Sequence, residues 1–293
     1  MKLVYYIENK FIGKDLKSFL KAKGISAKQI ITLKTKHAIF CNNVPVFTNY
    51  ILSEKDTVTL DLDYEEISDN IVSVPIPLDI IYEDEAVLVI NKPAGLPVHP
   101  ALHYYDKSLS NGVMYYFNKI NLHKKIRPVN RLDKDTTGLV VFAKNEFVQN
   151  ELVKQMSSKK FKKEYIAILN RTPFPEEGTI CAPIARKENS IMERTISPTG
   201  EIAITHYSVI KKFSGFSLVH FELETGRTHQ IRVHCKYIGT PIVGDTLYGT
   251  PSPYIARQAL HAYRISFVIP YINKPLSLQA PIPEDMRLLL QRL

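Results

Sequence analysis

The sequence predicts an α+β protein built on a mixed sheet and preceded by a small lysine-rich α+β module. Three observations lead to that fold class. From residue 79 onward, apolar or alternating runs of strand length dominate. They do not alternate regularly with helical stretches, which argues against a doubly wound parallel sheet. Residues 63–78 turn acidic and then carry Pro75 and Pro77, the composition of an extended connector. The expected organisation is therefore a module over 1–65, a linker over 66–78 and one large domain over 79–293.

In the module, Leu16, Phe19 and Leu20 have helical spacing, and Gly24 is a good C-terminal stop. Ser26 with Gln29 has the form of a capping box, opening a second short helix that buries Ile30 and Leu33. Ala38–Cys41, the turn-prone pair Asn42 and Asn43, and Val44–Val46 read as a hairpin. A last strand covers Thr57–Asp61. Beyond the linker, Ala86–Ile90 and Leu139–Ala143 suit buried strands, the second after a turn at Thr136–Gly138. Asn145–Met156 is helical, with Phe147, Leu152 and Met156 on one side. Tyr165–Leu169, Ile202–Val209, Phe216–Glu222 and Arg264–Val268 alternate like strands. Leu288–Leu290 fall in a C-terminal helix whose first turn holds Pro283, Glu284 and Asp285.

The chain has 293 residues and is 45% hydrophobic, with a formal charge of +9 and a pI near 9.2. A basic balance suggests a polyanion such as nucleic acid as partner. Residues 1–62 hold ten lysines, no arginine and five acids, so much of the excess lies in the module. Cys41, Cys181 and Cys235 are few and scattered, so neither a disulfide framework nor a zinc site is expected. His229 and His234 near Cys235 lack a usual ligand spacing and read as local polar or packing residues. No apolar run approaches a membrane span, and MKLVYYIENK lacks a secretory apolar region, so a cytoplasmic protein without membrane contact is expected.

Two stretches offer chemistry. Arg127–Leu139 places Asp133 two residues after Arg131 and before a Thr-Thr-Gly turn. A carboxylate there can face a cleft, or it can simply bond its own turn. Leu223–His234 has a glycine turn, then polar residues, then Ile231 and Val233 alternating as in a strand. Arg227 and Arg232 are available there for a carboxylate or phosphate, or for structural ion pairs.

Together these segments resemble the RluA-type family of RNA pseudouridine synthases. The resemblance rests on Asn91–Pro100 (NKPAGLPVHP), Arg131–Gly138 (RLDKDTTG), Gly226–His234 (GRTHQIRVH) and Gly244–Gly249 (GDTLYG), in the family's order. It implies a mainly antiparallel sheet with flanking helices. It also implies isomerisation of uridine within RNA, with the base detached, turned and rejoined through carbon 5, and no cofactor or metal. Two short basic helices and a hairpin in residues 1–62 resemble the alpha-L RNA-binding module of ribosomal proteins.

By resemblance, Asp133 is the nucleophilic or electrostatic carboxylate, because glycosidic cleavage develops positive charge at the sugar. Arg232 matches the arginine paired with it, and Tyr165 matches the active-site tyrosine that stacks on the base. Arg131 matches the arginine that holds the target nucleotide, filling the gap a flipped base leaves. Arg227 and Ile231 fall on the substrate side, and Leu139 is expected to line the pocket with Ile231. Asn130 stands where many members have His, which removes any role needing an imidazole. Thr137 replaces a frequent Ser. Lys14, Lys17, Lys21, Lys28, Lys34 and Lys36, with a second cluster at Lys154, Lys159, Lys160, Lys162 and Lys163, would track an RNA backbone.

Structured RNA is thus the expected partner of a monomeric protein, large-subunit rRNA ranking first and tRNA second. The rivals are a non-catalytic RNA-binding or ribosome-assembly factor and another enzyme. A glycosidase would need a second carboxylate, for which Asp135 is nearest. A zinc deaminase would need a signature that is absent.

Overall fold

The computed structural model describes residues 1–66, 71–101 and 104–293. Strands β1 (Lys2–Tyr6), β2 (Ile39–Cys41), β3 (Val44–Pro45) and β4 (Thr57–Asp61) form an antiparallel sheet in the order β1-β4-β2-β3. Helices α1 (Leu16–Ala22) and α2 (Ala27–Thr35) pack on it. The Ser26–Gln29 capping box forms as the sequence predicts. Asn42 and Asn43 adopt φ of 50° and 67°, the backbone that a two-residue hairpin turn requires. Strand β1, at the edge of this sheet, is not among the strands expected from the sequence.

The remaining strands are β5 (Ile80–Glu83), β6 (Val87–Lys92), β7 (Thr137–Ala143), β8 (Lys162–Leu169), β9 (Glu177–Cys181), β10 (Ile184–Arg186), β11 (Arg194–Ile196), β12 (Ile204–Phe213), β13 (Phe216–Leu223), β14 (Leu260–Ile269) and β15 (Lys274–Gln279). Nine of them form one sheet in the order β5-β6-β7-β14-β8-β13-β12-β9, with β15 added on β14. Among the described residues only β7 and β14 pair in parallel; the other neighbours are antiparallel, so the expected fold class holds. Four helices flank the sheet: α3 (Leu109–Lys119), α4 (Glu146–Ser157), α5 (Gln230–Tyr237) and α6 (Glu284–Arg292).

Both faces of the central strands are covered. On β7, Val140 and Phe142 join a core with α3 and α6, while Leu139, Val141 and Ala143 join a second core with α4. Burying each such side chain contributes about 1.5–3 kcal/mol. Leu139 therefore faces α4 and the small module; contrary to expectation it does not line the pocket with Ile231, because a strand turns alternate residues to opposite faces.

That second core is continuous with the module, running from Leu3, Phe19 and Leu20 to Val87, Val141 and Phe267. Lys154 on α4 also donates to the Gly24 carbonyl at the end of α1, at 3.2 Å. Residues 67–70 of the expected linker lie outside the described residues. The rest of it is irregular and runs along α3, where the Asn111 amide donates to the Val72 carbonyl at 2.8 Å.

Candidate active site

Residues 127–130 run antiparallel to β7 outside its regular ladder. Val129 N–H donates to Val141 at 2.7 Å, and Ala143 N–H donates to Arg127 at 2.8 Å. The connection between them, residues 131–136, is a loop carrying Asp133. Asn130 anchors its start: its amide donates to the Leu139 carbonyl at 3.0 Å and accepts from Val141 N–H at 2.9 Å. Both halves of the buried amide are thus spent on the β7 backbone, a task for which Asn geometry is well matched.

The loop is tied on two further sides. The Lys92 ammonium, fully buried, donates to the carbonyls of Pro93, Leu96 and Lys134, each at 2.8 Å. Burial pushes its pKa down, while the charges of Asp135 and Asp133 oppose the shift. Arg257 donates to the Asp135 carbonyl at 3.2 Å and Gln258 to the Thr136 hydroxyl at 3.1 Å. At Gly138, φ is +115° and an added Cβ would lie 2.2 Å from the Ala262 carbonyl oxygen, so only glycine lets β7 and β14 approach.

Asp133 opens into a cleft of about 680 Å³ between this loop, β8 and the start of α5. Arg131, Tyr165, Arg227, Ile231 and Arg232 line the same cleft, so every catalytic and substrate-side residue expected from the sequence converges there. Arg232 Nη1 donates to Asp133 Oδ2 at 3.1 Å. Tyr165 is buried on β8; burial, and then the Asp133 charge, push its hydroxyl above the ordinary value and keep it protonated. Arg131 is exposed at the rim. Arg227 is also exposed, ion-paired with Glu201 and donating to the Ile202 carbonyl at 3.0 Å.

The segment carrying Arg232 is the helix α5, not a strand. Gln230 folds the loop ahead of it: its carbonyl oxygen accepts from Arg227 N–H and Thr225, and its amide donates to Ile204 and Thr205.

Three residues that sequence reasoning left without a role complete the site. Asp245, fully buried, accepts from Arg232 Nε at 2.7 Å and Nη2 at 2.8 Å. Burial disfavours the Arg232 charge, but Asp245 and then Asp133 outweigh it and raise the guanidinium's pKa. The Tyr248 ring lies against the Arg232 guanidinium at 5.0 Å. His229, read from the sequence as a local polar or packing residue, lines the cleft with Nε2 3.9 Å from Asp133 Oδ2, a placement beside the acting carboxylate that its sequence context did not show. His234 is a packing residue, buried against Thr205 and the Ala182 carbonyl. Asp245 and Tyr248 fall in the GDTLYG block, whose motif was legible although its partners were not. Among the described residues no cluster of His, Cys, Asp and Glu has a metal-holding arrangement.

The module's Lys14, Lys17, Lys21, Lys28, Lys34 and Lys36 are all exposed and outside the cleft. The second basic cluster is divided. Lys154, Lys159 and Lys162 pair with Glu151, Glu224 and Glu222, while Lys160 is exposed. Lys163 turns into the cleft, where burial lowers its pKa.

Residues 86–237 match the family model described as RNA pseudouridylate synthase. The chain is 36% identical over 277 residues to the Bacillus subtilis RNA pseudouridine synthase YjbO, covering 94% of this chain and 98% of that protein. It is 39% identical over 225 residues to ribosomal large subunit pseudouridine synthase D of Nitrosomonas europaea, covering 74% of this chain and 65% of that one. The structure of human RNA pseudouridylate synthase domain containing 4 superposes with a TM-score of 0.61 at 24% identity, over 73% of this chain and 92% of that one, a likeness of fold.

Proposed function

The chain belongs to the RNA pseudouridylate synthase family and is an RNA pseudouridine synthase, and we propose that it isomerises specific uridines of large-subunit rRNA with Asp133 as the acting carboxylate. The observation that carries this reading is the contact of Arg232 with Asp133 inside the cleft that Tyr165 lines. Breaking the bond between N1 of uracil and C1′ of ribose leaves positive charge on the sugar. Asp133 meets that charge at C1′, as an electrostatic partner or by forming a transient bond. The base turns within the cleft against the Tyr165 ring, and C5 then bonds to C1′. The proton lost from C5 balances the one gained at N1, so no redox partner or cofactor is consumed.

Arg131 at the rim fills the space that the flipped nucleotide leaves. Arg227 and Lys163 supply positive charge for flanking phosphates, and Ile231 packs beside the base. Residues 1–65 act as an RNA-binding module, 66–78 as a connector and 79–293 as the catalytic domain. Lys14, Lys17, Lys28, Lys34 and Lys36, on and beside α1 and α2, bind backbone phosphates together with Lys160 and Lys162. Support for large-subunit rRNA comes from the name of the Nitrosomonas europaea relative and from the basic module.

Mapping pseudouridines in rRNA and tRNA from cells lacking this protein tests the proposal. An rRNA site should disappear and return with the wild-type gene but not with Asp133→Asn. Loss of a tRNA site instead would move the substrate, and loss of none would overturn the assignment.

A further inference from the structure

His229 precedes α5 with φ of 59° and ψ of 20°, the left-handed region that non-glycine residues adopt uncommonly. Such strain persists where surrounding contacts hold the residue for a purpose. Here the holding contact is Tyr248, whose hydroxyl lies 2.8 Å from His229 Nδ1. The same hydroxyl oxygen accepts the backbone N–H of Arg194, also at 2.8 Å. With the Arg194 N–H on one lone pair, the phenolic proton is available to donate to Nδ1. A neutral imidazole whose Nδ1 accepts must carry its hydrogen on Nε2. Burial is the largest influence on this ring and lowers its pKa, so the neutral form prevails near pH 7. In that tautomer His229 aims an N–H into the cleft.

Among the described residues that N–H has no partner at bonding distance. Asp133 Oδ2 is 3.9 Å from Nε2, too far for a direct hydrogen bond. A hydroxyl placed between them closes the gap. Ordinary bonds of about 2.9 Å from nitrogen and about 2.7 Å to the carboxylate span a 3.9 Å base with an angle of about 90° at the hydroxyl oxygen. Such a hydroxyl accepts from His229 and donates to Asp133.

We infer that this position takes the 2′-hydroxyl of the target uridine, so that His229 is the residue that reads the ribose. The inference rests on the reading of Asp133 as the carboxylate at C1′. The 2′-hydroxyl is carried on the carbon next to C1′, so an oxygen of Asp133 in contact with C1′ has that hydroxyl beside it. The 2′-hydroxyl both donates and accepts, and it is the group that distinguishes RNA from DNA. His229 is thus a specificity residue at the reaction centre, held in register by Tyr248.

Equilibrium binding tests this without turnover. The full chain carrying Asp133→Asn, which blocks turnover while its amide oxygen still accepts the hydroxyl proton, is titrated with two synthetic stem-loops that bear the mapped target as uridine or as 2′-deoxyuridine. The uridine RNA should bind about tenfold tighter, the worth of one hydrogen bond. Adding His229→Ala should remove that preference by weakening only the uridine RNA. Tyr248→Phe, which keeps the ring and frees the tautomer, should reduce the preference with less effect on folding. Equal weakening of both RNAs by His229→Ala, or a preference that survives both substitutions, overturns the inference and assigns the gap to water. The catalytic reading is judged separately, since it fails only if the Asp133→Asn chain still makes pseudouridine.

Discussion

Asp245 grips Arg232 on two of its nitrogens and leaves the third, Nη1, directed at Asp133. A guanidinium is planar, so fixing Nε and Nη2 fixes where Nη1 points. Asp245 is itself held: its Oδ1 accepts the backbone N–H groups of Leu247 and Tyr248, each at 3.1 Å. Gly244 precedes it with φ of +74°, and a Cβ there would meet the Arg257 carbonyl oxygen at 2.3 Å. The orientation of the Asp133 partner thus begins at a residue that does not touch the cleft.

Asp245→Asn is expected to lower kcat by roughly 100-fold, since the replacement sets an amide N–H₂ against one guanidinium donor and releases the plane of Arg232. KM should change by no more than a few-fold, because Asp245 touches no RNA. The buried guanidinium also loses its charge partner, so urea unfolding should show a loss of about 3 kcal/mol. Steady-state isomerisation assays separate the two effects. An unchanged kcat would mean that the aim of Nη1 does not matter.

Lys92→Met keeps the length of the side chain and removes the donor to three part-buried carbonyls. Each orphaned carbonyl costs about 1 kcal/mol or more, so a loss of roughly 3 kcal/mol is expected by urea unfolding. One of those carbonyls belongs to Lys134, the residue after Asp133. The loop should loosen with it, and amide exchange over residues 131–136 should speed up while exchange in β8 stays slow. Uniform acceleration across the domain would argue against a local anchor.

Much of this arrangement was legible because its parts are local. The Ser26 capping box, the Asn42–Asn43 turn, strand Thr57–Asp61 and the α4 helix all carry their signals within a few residues. Two kinds of feature escaped. Helix α5 alternates polar Gln230, Arg232 and His234 with apolar Ile231, Val233 and Cys235 and buries both kinds, so the local pattern reads as a strand. Helix α3 carries Gly112 in its middle, a weak helix former; a Cβ there would meet Ile76 and Leu78 of the connector at 3.0 Å. The contacts that complete the site are long-range. Asp133 meets Arg232 across 99 residues, and Arg257 reaches Asp135 across 122. Family resemblance supplied the first pair, whereas Asp245, Tyr248, His229 and Lys92 acquired partners only in three dimensions.

Gly138→Ala tests the approach of β7 to β14. The substitution strains a φ of +115° and drives a methyl group into the Ala262 carbonyl. A loss of more than about 2 kcal/mol is expected from backbone strain and overpacking together. Gly215, also at positive φ but with nothing within 4 Å of an added Cβ, is the control. Gly215→Ala should cost about 1 kcal/mol, the strain alone. Equal losses at the two sites, measured by urea unfolding, would show that the β7–β14 approach is not what demands glycine.

The module's lysines make a prediction about salt. Lys14, Lys17, Lys34 and Lys36 are exposed, and none has an acid in ion-pair range among the described residues. If each neutralises one phosphate, replacing all four by Gln should reduce the slope of log affinity against log salt by about 3. Affinity should fall for every RNA sequence alike, because phosphate contacts carry no base information. At saturating RNA, kcat should be unchanged, since none of the four lines the cleft. Filter binding over a range of KCl, with single-turnover rates at the plateau, gives both quantities. A slope equal to that of the wild type would remove RNA binding from α1 and α2. The positive charge would then act from the cleft side, through Arg131, Lys163 and Arg227.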